Sequence, residues 1–196
     1  MSRTILKTAL ITIGGLIVAL GIIFTVWIFG FPKSMATVSV QWGNYNFAVK
    51  CADRQYSRTG KTEDLALCAE ISIFSGNDEL IVTYCEPLVA KPDFESLCAK
   101  KDEEVAKKLE DTQLGSYTTS YSAYVIGNLA VSQYRTGNLE KAVATAESGD
   151  KECFKKLIIE VVLHGTEEDK QNLQTYPKLP ENKAYVEEML NLLTKV

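Results

Sequence analysis

The chain has 196 residues and a formal charge of −4, with 21 basic side chains set against 25 acidic ones. That length suits one compact domain with a substantial core. The acidic balance disfavours non-specific nucleic-acid binding and gives no reason to expect attraction to anionic lipid.

Residues 8–31, TALITIGGLIVALGIIFTVWIFGF, contain no charged side chain. As a helix they would extend roughly 36 Å, enough to cross a bilayer core with some tilt. A soluble core helix of that length would show a polar face, and none is present. Trp27 and Phe31 stand near one end, where aromatic rings favour the membrane interface, and Pro32 is expected to stop the helix. The rival reading is a cleaved signal peptide, because Ser34-Met35-Ala36 satisfies the small-x-small rule. Such a peptide would have an apolar region of only about 7–15 residues. Arg3 and Lys7 precede the span, and only Lys33 follows it closely. The positive-inside rule then places residues 1–7 in the cytoplasm and residues 32–196 outside the cell membrane.

After Pro32 no strand pattern stands out. Amphipathic segments are separated by short breaks rich in Gly, Asn, Asp and Pro, and they predict an all-α domain over 32–196. The expected helices are 34–42, 44–57, 62–75, 78–90, 93–110, 117–135, 138–148, 151–164, 167–175 and 182–195. Thr62, Asp93 and the pair Thr166 and Asp169 carry N-cap signals. Gly60, Gly76 and Gly137 stand where a left-handed residue closes a helix. Connections this short require consecutive helices to pack as hairpins.

The stretch GNLEKAVATAE (137–147) has two partial copies. RTGKTEDLALCAE (58–70) aligns with RTGNLEKAVATAE (135–147), and GNYNFAVKCAD (43–53) aligns with 137–147. Counting helices makes 58–70 the better structural counterpart, because Gly137 and Gly60 share the same parity and Gly43 does not. A third Gly-Asn pair stands at 76–77.

The pattern G-x-[YL]-x-x-A-x-x-x-A, carried by Gly43, Tyr45, Ala48 and Ala52 and again by Gly137, Leu139, Ala142 and Ala146, resembles the tetratricopeptide repeat. That family stacks helix–turn–helix units of about 34 residues, and its paired alanines let the two helices pack tightly. The first-helix consensus of that family, Trp, Leu, Gly and Tyr, is poorly met in every unit. The resemblance implies a right-handed stack of antiparallel hairpins that binds protein or peptide partners. Family members that grip a terminal carboxylate use basic side chains on the concave first helices. Lys50 and Arg54, one turn apart, are candidates for that role, although Glu79 and Glu86 on the next unit would repel a carboxylate.

Cys51, Cys68, Cys85 and Cys98 fall one per helix at similar heights, with Cys153 further on. In an extracytoplasmic domain, disulfides such as Cys51–Cys68 or Cys85–Cys98 are sterically conceivable. The other reading is that cysteine serves as a small apolar residue at crowded helix contacts. No spacing of Cys and His points to a metal, and His164, the only histidine, suits a helix C-terminus. No catalytic or cofactor-binding motif is present. Tyr117, Tyr121 and Tyr124 share one helix face and would either pack into the core, hydroxyls outward, or line a peptide groove. The function expected from these features is a membrane-anchored, non-catalytic scaffold that needs no cofactor. The alternative is a structural accessory subunit, assembled into a larger membrane complex through its span, in which Gly15 and Ala19 form a small-xxx-small pair.

Overall fold

The computed structural model of the protein describes residues 3–109 and 119–193, with side chains for 12–107 and 119–193. Among these residues there are eleven helices and no strand, so the all-α expectation holds. They fall into two compact units, Met1–Thr59 and Gly60–Val196. Tyr117 lies outside the described residues.

The first unit holds α1 (Arg3–Gly30), α2 (Pro32–Gln41) and α3 (Tyr45–Thr59). Within α1 the stretch Thr12–Gly30 is long and apolar enough to cross a membrane, and none of it is buried. Pro32 ends α1, as expected, because its ring removes an amide donor and crowds the preceding turn. It is also the first residue of α2, in the first turn, where no donor is needed. The backbone of Phe31 (φ −131°, ψ 58°) makes the bend between them. The α2–α3 hairpin buries Met35, Ala36, Ala48, Val49, Cys51 and Ala52.

The second unit holds α4 (Thr62–Ser75), α5 (Asp78–Val89), α6 (Phe94–Leu109), α7 (Tyr121–Arg135), α8 (Leu139–Glu147), α9 (Lys151–His164), α10 (Glu167–Thr175) and α11 (Pro180–Leu193). Local signals set most of the helix starts. Asn77, Ser120, Asn138 and Asp150 each accept a backbone amide one turn on, and Thr166 with Asp169 closes a full capping box. Thr62 departs from its expected role. Lys61 is the N-cap of α4, and the Thr62 hydroxyl instead donates to Asp93 Oδ1 at 2.9 Å, tying the starts of α4 and α6 together.

α7 is the centre of this unit and packs against α4, α5, α6, α8 and α9. Its apolar face buries Ala123, Val125, Ile126, Leu129 and Ala130 against a core that includes Leu65, Leu88, Phe154, Leu157 and Ile158. Its last turn is polar and reaches outward in several directions. Ser132 donates to Asp78 (2.7 Å), Gln133 to Glu86 (2.9 Å) and Tyr134 to Asp169 (3.4 Å), while Arg135 forms a two-point pair with Glu160 (2.8 and 2.9 Å). Four consecutive side chains thereby fix α7 to α5, α9 and α10.

At the far end of α8, Glu147 Oε1 accepts the backbone amides of Lys178 (2.7 Å) and Leu179 (2.9 Å) and the Asn182 side-chain amide (3.2 Å). Burial pushes this carboxyl up, but the Leu179, Asn182 and Lys178 donors together hold it below its ordinary value.

The helix-to-helix turns decide which sequence copies correspond. In the α2–α3 turn, Gly43 N–H donates to Val40 and Asn44 N–H to Ser39; in the α7–α8 turn, Gly137 donates to Tyr134 and Asn138 to Gln133. Both are Schellman closures followed by an Asn that caps the next helix. Both glycines are left-handed, at φ +71° and +88°. Gly60 is also left-handed, but it lies at the boundary between the two units, and the Lys61 that follows caps α4 without a side-chain hydrogen bond. The turn at 43–44, and not the one at 60–61, is therefore the structural counterpart of 137–138. Parity misleads here because α6 makes its principal contacts with α7 and α4, and so stands between two hairpins instead of belonging to one.

A Cβ at Gly137 would meet no atom within 4 Å, so the cost of a side chain there is conformational alone. Gly137→Ala should lower stability by about 1–2 kcal/mol, the cost of a left-handed alanine, without changing the helical content of the folded state. Denaturant titration of the full chain in detergent micelles, followed by circular dichroism, checks this; an unchanged midpoint would remove the left-handed requirement.

Candidate functional site

Among the described residues of the second unit, an open concavity lies toward each end of α7. The larger, about 680 Å³, is walled by Asp102, Val105 and Ala106 of α6 and by Thr119, Ser120, Tyr121 and Tyr124. Tyr121 is held from several sides. Its amide donates to Asp102 (2.7 Å), its hydroxyl donates to Glu70 (2.9 Å), and the Lys101 ammonium pairs with that same Glu70 oxygen (2.9 Å) while lying 5.6 Å from the Tyr121 ring centre. Tyr124 stands 6.4 Å from Tyr121, with the Lys156 ammonium 5.7 Å from its ring. Burial first, then the Glu70 carboxylate, pushes the Tyr124 phenol up to about 12 and raises Tyr121 further in the same direction. The two described tyrosines of the stripe are thus half-buried and do line a cavity, but the Tyr121 hydroxyl turns inward to α4 and not outward to water.

The smaller concavity, about 270 Å³, is a groove over α5, α7 and α8. Val89, Ala90 and Leu129 form its apolar floor, and Glu86, Gln133 and Lys141 its polar side. One oxygen of Glu86 accepts both the Gln133 amide (2.9 Å) and the Lys141 ammonium (2.6 Å). Burial opposes this carboxylate, while Lys141 and Gln133 stabilise it, and the net result is a lowered pKa. Gln133 is almost wholly buried, and its Oε1 has no hydrogen-bond partner. Sequence reasoning treated Glu86 only as a source of repulsion and passed over Gln133 and Lys141. A signal was available for Gln133, which continues the inward helical spacing of Ile126 and Ala130, so a polar residue there had to be buried.

Lys50 and Arg54 belong to the first unit and are exposed on α3. The Arg54 guanidinium lies 4.7 Å from the centre of the Phe29 ring on α1, a cation–π contact. The candidate partner-binding residues thus fall in both units, with Lys50 and Arg54 in one and Tyr121 and Tyr124 in the other.

All five cysteines are free thiols and buried. Desolvation pushes Cys85 up to about 12 and Cys98 and Cys153 up to about 11, and raises Cys51 as well. Tyr134, Tyr185 and Arg135 are also raised, and Glu63, Glu86, Glu147, Glu160 and Asp169 are lowered. Among the described residues, no group of three or more His, Cys, Asp or Glu side chains is gathered as a metal ion would require. His164 is exposed in the last turn of α9. No protein family, curated protein or solved structure matches the chain.

Because the thiolate is the reactive form, roughly one Cys98 or Cys153 side chain in a thousand is ionised at a pH three units below its pKa. A thiol reagent added to the folded chain near neutral pH should therefore label almost nothing, with labelling increasing as the pH rises, and the denatured chain should release all five thiols. A shortfall in the denatured count would reveal disulfides.

Proposed function

We propose that the chain is a membrane-anchored, tetratricopeptide-like interaction module that binds a protein or peptide and performs no chemistry on it. The observation that carries this reading is the groove over α5, α7 and α8, where an apolar floor meets a small, ordered polar set. That combination suits a peptide segment, whose side chains take the floor and whose backbone meets the polar side. The repeat-like features support it: Ala48, Ala52, Ala142 and Ala146 are all fully buried, and the Gly43-Asn44 and Gly137-Asn138 turns share one hydrogen-bonding pattern. In this reading α1 is the anchor and the helical domain lies outside the cytoplasm, as the flanking Arg3 and Lys7 favour.

A second reading, the accessory subunit, draws on the uncovered surface of α1, where a side chain at Gly15 would meet nothing within 4 Å. Photo-crosslinking in the native membrane separates the two. A photoreactive residue at Thr145 or Val89 should give a discrete adduct with a partner, and Thr145→Arg, which fills the groove, should weaken a crosslink placed at Val89 by at least tenfold. Adducts from Leu16 or Ile17 alone, with none from the groove, would favour the accessory subunit. Protease added outside intact cells should digest the domain; protection that is lost on lysis would reverse the proposed topology.

A further inference from the structure

The first unit carries an arrangement that the binding reading does not use. α2 packs on both α1 and α3, so the chain reverses at Phe31 and runs back along the helix it has just left. A cavity of about 250 Å³ records how far back it goes. Its walls are Phe24 of α1, Met35 and Ser39 of α2, Trp42 and Asn44 of the turn, and Phe47 of α3. The turn of the hairpin therefore lies level with Phe24, roughly 10 Å before the end of the apolar helix at 1.5 Å per residue. Arg54 over Phe29 fixes the other end of α3 near the last turn of α1.

Residues 12–26 of α1 are exposed, Trp27 and Ile28 are partly covered, and Phe29 and Phe31 are exposed again. At the level of the turn, Trp42 is 68% exposed and Phe24 44%. One turn of α3 beyond Phe47 stands Lys50, and one turn beyond that Arg54. From the middle of the span outward, the order is a bare apolar helix, then an aromatic ring set, then two cations. This is the order in which a bilayer presents acyl chains, the interfacial zone and phosphate. Residues 8–24 alone make a helix of roughly 25 Å, at the short end of what a hydrocarbon core accepts.

We propose that the α2–α3 turn is seated at the headgroup–acyl boundary of the bilayer that α1 crosses, with Trp42 and Phe47 beside Phe24 in the interface and Lys50 and Arg54 meeting lipid phosphate above them. The partner of this surface is phospholipid. The hydrocarbon edge then runs near Phe24, and the last turns of α1 belong to the folded unit. The proposal rests on the reading of α1 as a membrane span.

Trp27 and Trp42 are the only tryptophans, so Trp27→Phe leaves Trp42 as a single reporter in the full chain. Reconstituted in phosphatidylcholine vesicles, Trp42 should emit at shorter wavelength than in the unfolded chain. A nitroxide placed high on the lipid acyl chain should quench it several-fold more than one placed deep or than aqueous iodide. Because the native thiols are buried, Asn46→Cys carrying a polarity-sensitive dye gives a second, independent reading and should report the same depth. A chain that floats with the vesicles while Trp42 and the dye remain open to iodide overturns this proposal alone. Shielding from both iodide and lipid nitroxide also overturns it, since protein would then cover the turn. A chain that fails to float overturns the span and this proposal together.

Discussion

The last turn of α7 is the constraint from which most of the second unit follows. Ser132, Gln133, Tyr134 and Arg135 each donate to an acidic side chain on another helix, at Asp78, Glu86, Asp169 and Glu160. Hydrogen bonds to charged partners contribute about 1.5–3 kcal/mol each, and the Tyr134 contact, at 3.4 Å, falls below that range. More important than the sum is the direction. A helix held only by apolar packing can rotate or slide by a fraction of a turn at modest cost, whereas four donors aimed at three different helices admit one rotation and one depth. The Schellman turn at Gly137 begins immediately afterwards, so the same anchoring sets where α8 departs and how wide the groove beside it opens.

What was legible in the sequence is what local chemistry decides. α9 and α10 fall on their expected residues because Asp150, Gly165 and the Thr166–Asp169 box mark their ends within one turn. The left-handed glycines at 60, 76 and 137 were readable for the same reason. The misreadings arise where a partner lies far along the chain. Thr62 has the sequence of a cap, but Asp93 takes its hydroxyl. The spacing of the stripe tyrosines left core and groove both open, and the Glu70 carboxylate that takes the Tyr121 hydroxyl lies 51 residues away in the chain. The correspondence of the repeats depended on whether α6 has a hairpin partner, a question of packing that no spacing answers.

The two units use polar residues in different ways. In the second, acids and their donors are partly buried and mutually satisfied, so they define geometry. In the first, the cations of α3 are exposed, and Arg54 leans on an aromatic ring of the apolar helix. Ring faces are weak acceptors, and a guanidinium resting on one keeps its N–H groups free for stronger ones. The arrangement stabilises the end of α1 while leaving charge available at the surface.

The carboxylate of Glu147 has a consequence for the final helix. In the sequence Pro177-Lys178-Leu179-Pro180 the two prolines have no amide hydrogen, and the two residues between them have amides with no helix to join. One oxygen of Glu147 collects both, and the Asn182 amide with them. Attachment of α11 on this side therefore hinges on a single ionisation. Because the folded pKa of Glu147 is depressed below 4.5, its contribution is complete above that value and disappears as the pH falls through the folded pKa. All three bonds weaken in one step, since they share one charge. The C-terminal helix is thus secured on this side by an acid-labile latch, separate from the apolar core that holds α7 to α9.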